Sequence, residues 1–366
     1  MRSDFVKPLL LWYNTRSRDL PWRKTGDPYR IWVSEIMLQQ TRVEAVVRYY
    51  ERFIGELPDI EKLAHCAEER LLKLWEGLGY YSRVRNMQKA AILICEQYSG
   101  RMPDEASELK KLPGIGDYTA GAIASIAYGK AEPAVDGNLI RVLSRIASLK
   151  TDFSSQKAKK SLTEMLRSLT VPKDESWGNL NQAFMDLGAT VCLPNSAPLC
   201  TECPIADYCS AHQTGEELLY PVRPGKKARR ELNMTVMLIH SGDYFVIRKR
   251  PARGLLANLY EFPNTDGFLN EDETIRYVEK MTGTYALRIR RIREAKHIFS
   301  HVEWHMRGYE IYVSSPSETV DLPEVIYADA SEIEQKYPIP SAFSAYAGYL
   351  NINIGKKTGN AITTEE

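Results

Sequence analysis

The chain has 366 residues, 44% apolar and 26% charged; this is globular composition, and the length calls for two or three domains. Forty-eight Lys and Arg balance 47 Asp and Glu for a net charge of +1, which leaves any nucleic-acid contact to local patches rather than to bulk charge. No run approaches the roughly 18 uninterrupted apolar residues of a membrane span, and "MRSDFVKPLLLWYNTRSRDLPW" lacks a signal peptide's small-residue cleavage site, so a cytoplasmic protein without membrane contact is expected.

From Asp4 to about Ala211 the pattern is helical, with amphipathic stretches broken by Gly and Pro. Asp27-Pro28, an N-cap residue followed by proline at the first helical position, opens "YRIWVSEIMLQQTRVEAVVRYYERF". Residues 215–232, "GEELLYPVRPGKKARREL", are polar, basic and Pro-bearing and read as a linker. Beyond them "TVMLIHSGDYFVIRKR" and "VEWHMRGYEIYV" have the period of strands, and residues 355–366 read as a frayed tail. The expected architecture is therefore multidomain: an all-α region over 1–214 and an α+β domain over 233–354.

Within the helical region, "LKKLPGIGDYTAGAIASIAYG" (109–129) reads as a helix-hairpin-helix. Gly114 and Gly116 let backbone approach a ligand, and the helix opening near Asp117 points free N–H groups at an anion. Such a hairpin grips a DNA phosphate without reading sequence. "AVDGN" follows, placing Asp136 and Asn138 just beyond it.

Four of the six cysteines, Cys192, Cys200, Cys203 and Cys209, lie in "VCLPNSAPLCTECPIADYCS". In a reducing compartment a cluster of this kind points to metal rather than to disulfides. One CxxC flanked by gaps of seven and five residues suits a [4Fe-4S] cluster better than zinc, which remains the alternative. Cys66 and Cys95 sit alone in helical sequence and read as small hydrophobes.

This order of motifs, from "LPWRKTGDPYRIWVSEIMLQQT" through "WEGLGYYSRVRN", the hairpin and "NQAFMDLGATVC" to the cysteines, resembles endonuclease III and, more closely, the MutY-type adenine DNA glycosylases. The resemblance implies a monofunctional enzyme of base excision repair. Bifunctional members carry a Schiff-base lysine where this chain has Tyr118, and a phenol forms no imine. Glu35 matches the glutamate of the adenine-specific branch. Its implied role is a neutral acid that protonates the departing adenine, with Ile31, Trp32, Val33, Ile36 and Leu38 as a dry wall. Asp136 would stabilise the sugar cation, as in glycoside hydrolysis, with Tyr118 and Asn138 positioning it and the water.

Because the target base is stacked in a duplex, it must be flipped out and the gap filled. The resemblance assigns that wedge to Gln40, Thr41, Leu78 and Tyr80, and the adenine pocket to Arg18, Trp22, Arg23 and Gln182, with Leu38 on its wall. The four cysteines would hold the [4Fe-4S] cluster, although the first gap here is seven residues where the family has six. The implied partner is double-stranded DNA carrying 8-oxoguanine:adenine or guanine:adenine mispairs, met by a monomer.

"VIRKRPARGLLANLYEFPNTDG" resembles the start of a Nudix domain, whose hydrolases hold magnesium on an Arg-Glu-x-x-Glu-Glu helix. Here Tyr277, Lys280 and Met281 stand where those glutamates belong, which favours a readout domain over a pyrophosphatase. In "KHIFSHVEWH" the residues Phe299, Ser300 and His301 read as a turn that meets 8-oxoguanine in the family, Phe299 bracing the two polar groups. Two rival functions are a catalytically silent lesion-binding protein and an endonuclease III-like glycosylase.

Overall fold

The computed structural model describes residues 3–222, 225, 228–315 and 325–354. They divide into two compact units, one of residues 1–66 and 85–226, the other of 67–84 and 227–366. The expected tail at 355–366, and Lys226 and Lys227 of the basic linker patch, lie outside the described residues.

The first unit is helical. Its helices start where short polar residues satisfy the free N–H groups of the first turn: Asp27 accepts from Tyr29 N ahead of Pro28–Leu38, Ser155 from Ala158 N ahead of Gln156–Arg167, and Ser176 from Asn179 N ahead of Trp177–Thr190. One apolar core joins Phe5, Leu9, Leu139, Leu143, Leu180 and Phe184 from the helices Val6–Arg16, Gly137–Ile146 and Trp177–Thr190 and their flanks. Each such side chain contributes about 1.5–3 kcal/mol by leaving water.

The small-residue helix Asp117–Tyr128 lies at the centre, and its composition is a packing requirement. A Cβ on Gly121 would stand 2.2 Å from Pro133 O, so only glycine lets the strand of backbone leading to Asp136 pass this close. The hairpin is tighter than sequence implies: the preceding helix is only Ala106–Leu109, and Gly114 turns the chain at φ +79°.

The boundary expected at residue 214 is displaced. Arg145, only 3% exposed, donates from Nε to Glu217 O at 2.9 Å and to Tyr220 O at 3.3 Å, so this stretch of the expected linker is packed against a helix of the first unit. A buried guanidinium needs acceptors, and these backbone carbonyls supply them. Ala67–Val84, which carries the helix Glu68–Leu74, groups with the second unit.

That second unit is a mixed sheet of β1 (Arg230–Ser241), β2 (Tyr244–Lys249), β3 (Tyr260–Glu261), β4 (Asn264–Asp266), β5 (Ala286–Ile298), β6 (Val302–Val313) and β7 (Ile326–Ala328). The strand order is β3-β2-β1-β6-β5, with β4 paired to β1 and β7 to β2. β1 and β6 run parallel over Arg230–His240, and the other pairs are antiparallel. The helix Glu271–Thr282 opens with a capping box of Asn270 and Glu273 and ends at Gly283, φ +66°. Tyr277 and Met281 of this helix pack against the core of Met237, Ile239 and Ile311. Two of the three positions that carry metal-binding glutamates in Nudix hydrolases are here spent on packing, and the third, Lys280, is exposed.

Candidate active site and cysteine loop

Two carboxyl groups from different helices face one cleft of about 810 Å³, lined by Arg18, Trp22, Arg23, Glu35, Leu38, Gln40, Thr41, Tyr118, Asp136, Asn138 and Gln182 among others. Glu35 projects from the apolar helix Pro28–Leu38 between buried Ile31, Trp32, Val33 and Ile36, and is itself only 5% exposed. Burial pushes its pKa up to about 7; the neighbouring Asp136 charge acts in the same direction, while the Tyr118 hydrogen bond and Arg23 oppose it. The phenol of Tyr118 donates to Glu35 Oε2.

Asp136 is the N-cap of Gly137–Ile146. Its Oδ1 accepts from Leu139 N at 2.7 Å and its Oδ2 from Asn138 Nδ2 at 2.7 Å. Surrounding protein pushes this carboxyl up as well, but these N–H groups and Arg141 favour the ionised form, as does the helix N-terminus. The pair thus pairs an acid that holds its proton near neutrality with a carboxylate ringed by donors. Two like charges do not comfortably coexist here, and the Asp136 charge is one of the causes that raise Glu35.

The expected pocket residues Arg18 and Arg23 converge on Asp186, which the sequence reading missed. Arg18 bonds its Oδ1 through Nε at 2.8 Å, and Arg23 bonds both oxygens. Asp186 is fully buried; burial raises its pKa, but the arginines more than offset this and hold it below the usual carboxylate range. Its signal was present four residues after Gln182 in "NQAFMD", one turn further along the same helix face. Trp22 packs edge-on against Tyr50 at 5.3 Å. Gln182 lines the cleft with its amide donating to Gly178 O at 3.3 Å.

Beside this cleft runs a groove of about 800 Å³ bordered by the hairpin's Gly114, Gly116 and Asp117 and by Lys110, Lys159, Lys160 and Arg167. Tyr118 and Lys159 line both depressions. Two lysines of the hairpin are paired with carboxylates, Lys110 with Asp117 at 3.2 Å and Lys111 with Glu108 at 2.7 Å.

The four clustered cysteines line one small cavity with Arg145, His212 and Glu217. Burial, then Glu217 and lastly the neighbouring sulfurs, push Cys200 up to about 11; burial and the neighbouring sulfurs push Cys203 up to about 12. Such crowding disfavours free thiolates and suits a bound cation. The extra residue of the first gap is accommodated in an exposed loop: Leu199 N returns to Val191 O at 2.9 Å, and Asn195 adopts φ +60°. Arg141 and Arg145, four apart on one helix, both reach this loop, Arg141 Nε to Cys192 O at 2.8 Å and Arg145 Nη1 to Cys192 Sγ at 3.1 Å. Arg141 also donates to Asn138 Oδ1 at 2.9 Å.

In the second unit, Phe299–His301 forms the turn between β5 and β6 as expected, with Phe299 N bonded to Val302 O at 2.8 Å. The Phe299 ring is held edge-on between His297 at 4.6 Å and Trp304 at 4.8 Å, and Ser300 and His301 are exposed. Leu78 and Tyr80 belong to this unit too, Leu78 buried and Tyr80 46% exposed, whereas Gln40 and Thr41 belong to the first.

A raised acid and a donor-ringed carboxylate over one cleft, next to a glycine-turned helical hairpin bordering a groove, are the site of a helix-hairpin-helix DNA glycosylase. Residues 33–168 match the HhH-GPD superfamily of base excision DNA repair proteins, and 235–347 match the NUDIX domain. The chain is 33% identical over 380 residues to the adenine DNA glycosylase of Homo sapiens, spanning 88% of this chain and 69% of that protein. It is 34% identical over 303 residues to the adenine DNA glycosylase of Buchnera aphidicola subsp. Schizaphis graminum, spanning 82% and 86%. A solved thermostable thymine-DNA glycosylase is 30% identical, covers 58% of this chain and 96% of its own, and superposes with a TM-score of 0.51. The chain belongs to the adenine DNA glycosylase family.

Proposed function

We propose that this enzyme excises adenine paired with 8-oxoguanine or guanine by acid-assisted hydrolysis of the N-glycosidic bond. The observation that carries the reading is the convergence of Glu35 and Asp136 on one cleft with opposite environments. Glu35, protonated near neutral pH, gives its proton to the departing base, which is too basic to leave as an anion. The Tyr118 phenol occupies Glu35 Oε2 and leaves the other oxygen to carry that proton toward the cleft. As the bond breaks, positive charge develops on the sugar beside Asp136, whose two oxygens are fixed by Leu139 N and Asn138. Arg18 and Arg23, pinned on Asp186, form a rigid wall for the base rather than free cations.

Gln40, Thr41, Leu78 and Tyr80 are assigned to the gap left by the flipped nucleotide, and Phe299, Ser300 and His301 to the 8-oxoguanine partner. The cysteines fit a [4Fe-4S] cluster. All four line one small cavity together with Arg145 and Glu217, and four thiolates in one loop are the donor set that such a cluster takes. When bound, the cluster would supply a cross-link that folds the loop beside Arg141 and Arg145.

The test is single-turnover incubation with duplexes containing 8-oxoguanine:adenine, guanine:adenine or thymine:adenine. Release of free adenine from the first two without strand cleavage is expected. Excision of another base, or cleavage trapped by borohydride, would replace this reading with the endonuclease III-like one.

A further inference from the structure

The loop Gly77–Tyr80 lies within residues 33–168, matched by the glycosylase family, yet it packs as part of the other unit. Its backbone is held in a conformation that L residues seldom adopt, with φ +94° at Gly77, +69° at Gly79 and +47° at Tyr80. Local bonds fix that shape. Trp75 Nε1 donates to Gly79 O at 3.1 Å, and Arg83 Nη2 to Leu78 O and Gly79 O, each at 3.1 Å. The Arg83 guanidinium also lies 5.3 Å from the Trp75 ring and 5.6 Å from the exposed Tyr80 ring.

The helix before the loop, Glu68–Leu74, is tied to the C-terminal fold at both ends. Near the loop, Lys73 and Glu76 form an ion pair at 2.8 Å with side chains only 12% and 10% exposed. Lys73 Nζ lies 3.3 Å from both Ile333 O and Tyr337 O, carbonyls at the end of the helix Ala330–Lys336, and Glu76 Oε1 accepts from Ile339 N at 2.9 Å. At the far end, Glu69 accepts from Lys249 and Tyr260, both at 3.0 Å, and Glu68 from Asn258 at 3.2 Å. A buried ion pair that also bonds to neighbouring backbone in this way contributes positional specificity more than stability.

We propose that Lys73 and Glu76 are positioning residues that make the C-terminal unit the carrier of the Leu78–Tyr80 loop, so that this loop and the Phe299–His301 turn engage a duplex as one body. The proposal rests on the reading of that loop as a wedge. Contact of the turn with the lesion then sets how the wedge enters, and discrimination is shared between the two elements rather than owned by the turn.

The test uses the full chain and the double variant Lys73→Met/Glu76→Gln, which removes both charges of the ion pair together. Duplexes carry 8-oxoguanine:adenine or guanine:adenine with 2-aminopurine beside the purine opposite the adenine, so that fluorescence reports unstacking. The variant is expected to melt near the wild type and to release adenine from both duplexes. Its preference for 8-oxoguanine should fall by about fivefold, and the fluorescence rise on binding by about half. Combined with Ser300→Ala/His301→Ala, it should lose less than the product of the separate losses, because the two elements act as a unit. Glu69→Gln/Lys249→Met, a more exposed tie, should lower the preference by about twofold in the same direction. Unchanged preference and fluorescence in both double variants, or losses that multiply with those of the turn, overturn the proposal. A failure of the wedge reading is separable: Tyr80→Ala would then leave the wild-type fluorescence rise intact.

Discussion

The Tyr118 phenol donates a hydrogen bond to the carboxyl of Glu35, 83 residues earlier in the chain. The helix-hairpin-helix thereby does two things: its glycines shape the groove bordering the hairpin, and the residue after Asp117 tunes the acid. Because the bond favours the carboxylate form, it lowers a pKa that burial raises.

Tyr118→Phe removes that bond, so the Glu35 pKa should rise further. On the proposed mechanism excision needs the protonated acid and is lost as pH rises through this pKa. The falling limb of the pH–rate profile should therefore move to higher pH in the variant, measured by single-turnover excision from pH 5 to 9. A limb that stays in place or moves down would mean that another group limits the rate.

Glu35 also ties stability to pH. Its folded pKa of about 7 exceeds the ordinary 4.5, so folding favours the protonated form. The wild type carries no penalty from this group below about pH 4.5, and loses stability as pH rises through 7. Glu35→Gln should thus match the wild type near pH 4.5 and exceed it by up to about 3 kcal/mol above pH 8, by denaturant titration at each pH. A constant difference across that range would contradict the buried acid.

Asp186→Asn leaves Arg18 and Arg23 without their shared counter-charge. Breaking a buried pair in this way costs about 3–5 kcal/mol, so a large drop in melting temperature is expected, with loss of excision. Normal melting with normal excision would show that the arginines hold their positions unaided.

Ser300→Ala/His301→Ala should erode the preference for 8-oxoguanine:adenine over guanine:adenine by about 1–3 kcal/mol, the worth of a good base contact. Phe299 stays packed against His297 and Trp304, so the turn itself should persist. Equal losses on both duplexes would assign the motif to folding.

Much of the site was legible because its residues are marked by local chemistry. Asp27-Pro28 announces the Glu35 helix, and Gly114-x-Gly116 with Asp136 announces the hairpin and its carboxylate. What was illegible depends on distant partners. Nothing near Tyr118 says that its hydroxyl meets Glu35, and Asp186 becomes a keystone only once Arg18 and Arg23 arrive from 168 and 163 residues away. The assignment of Ala67–Val84 to the C-terminal unit was hidden for the same reason: helical periodicity reports that Leu71, Leu72 and Leu74 are buried, not against what.

The most direct measurement of the central claim is excision by Glu35→Gln on 8-oxoguanine:adenine duplex at pH 7, with binding followed in parallel. An amide fills the same space but has no acidic proton to give. The account requires wild-type affinity for the mispair and a rate lower by about 10²-fold or more. Excision near the wild-type rate would show that Glu35 is not the acid and that the cleft works by another route.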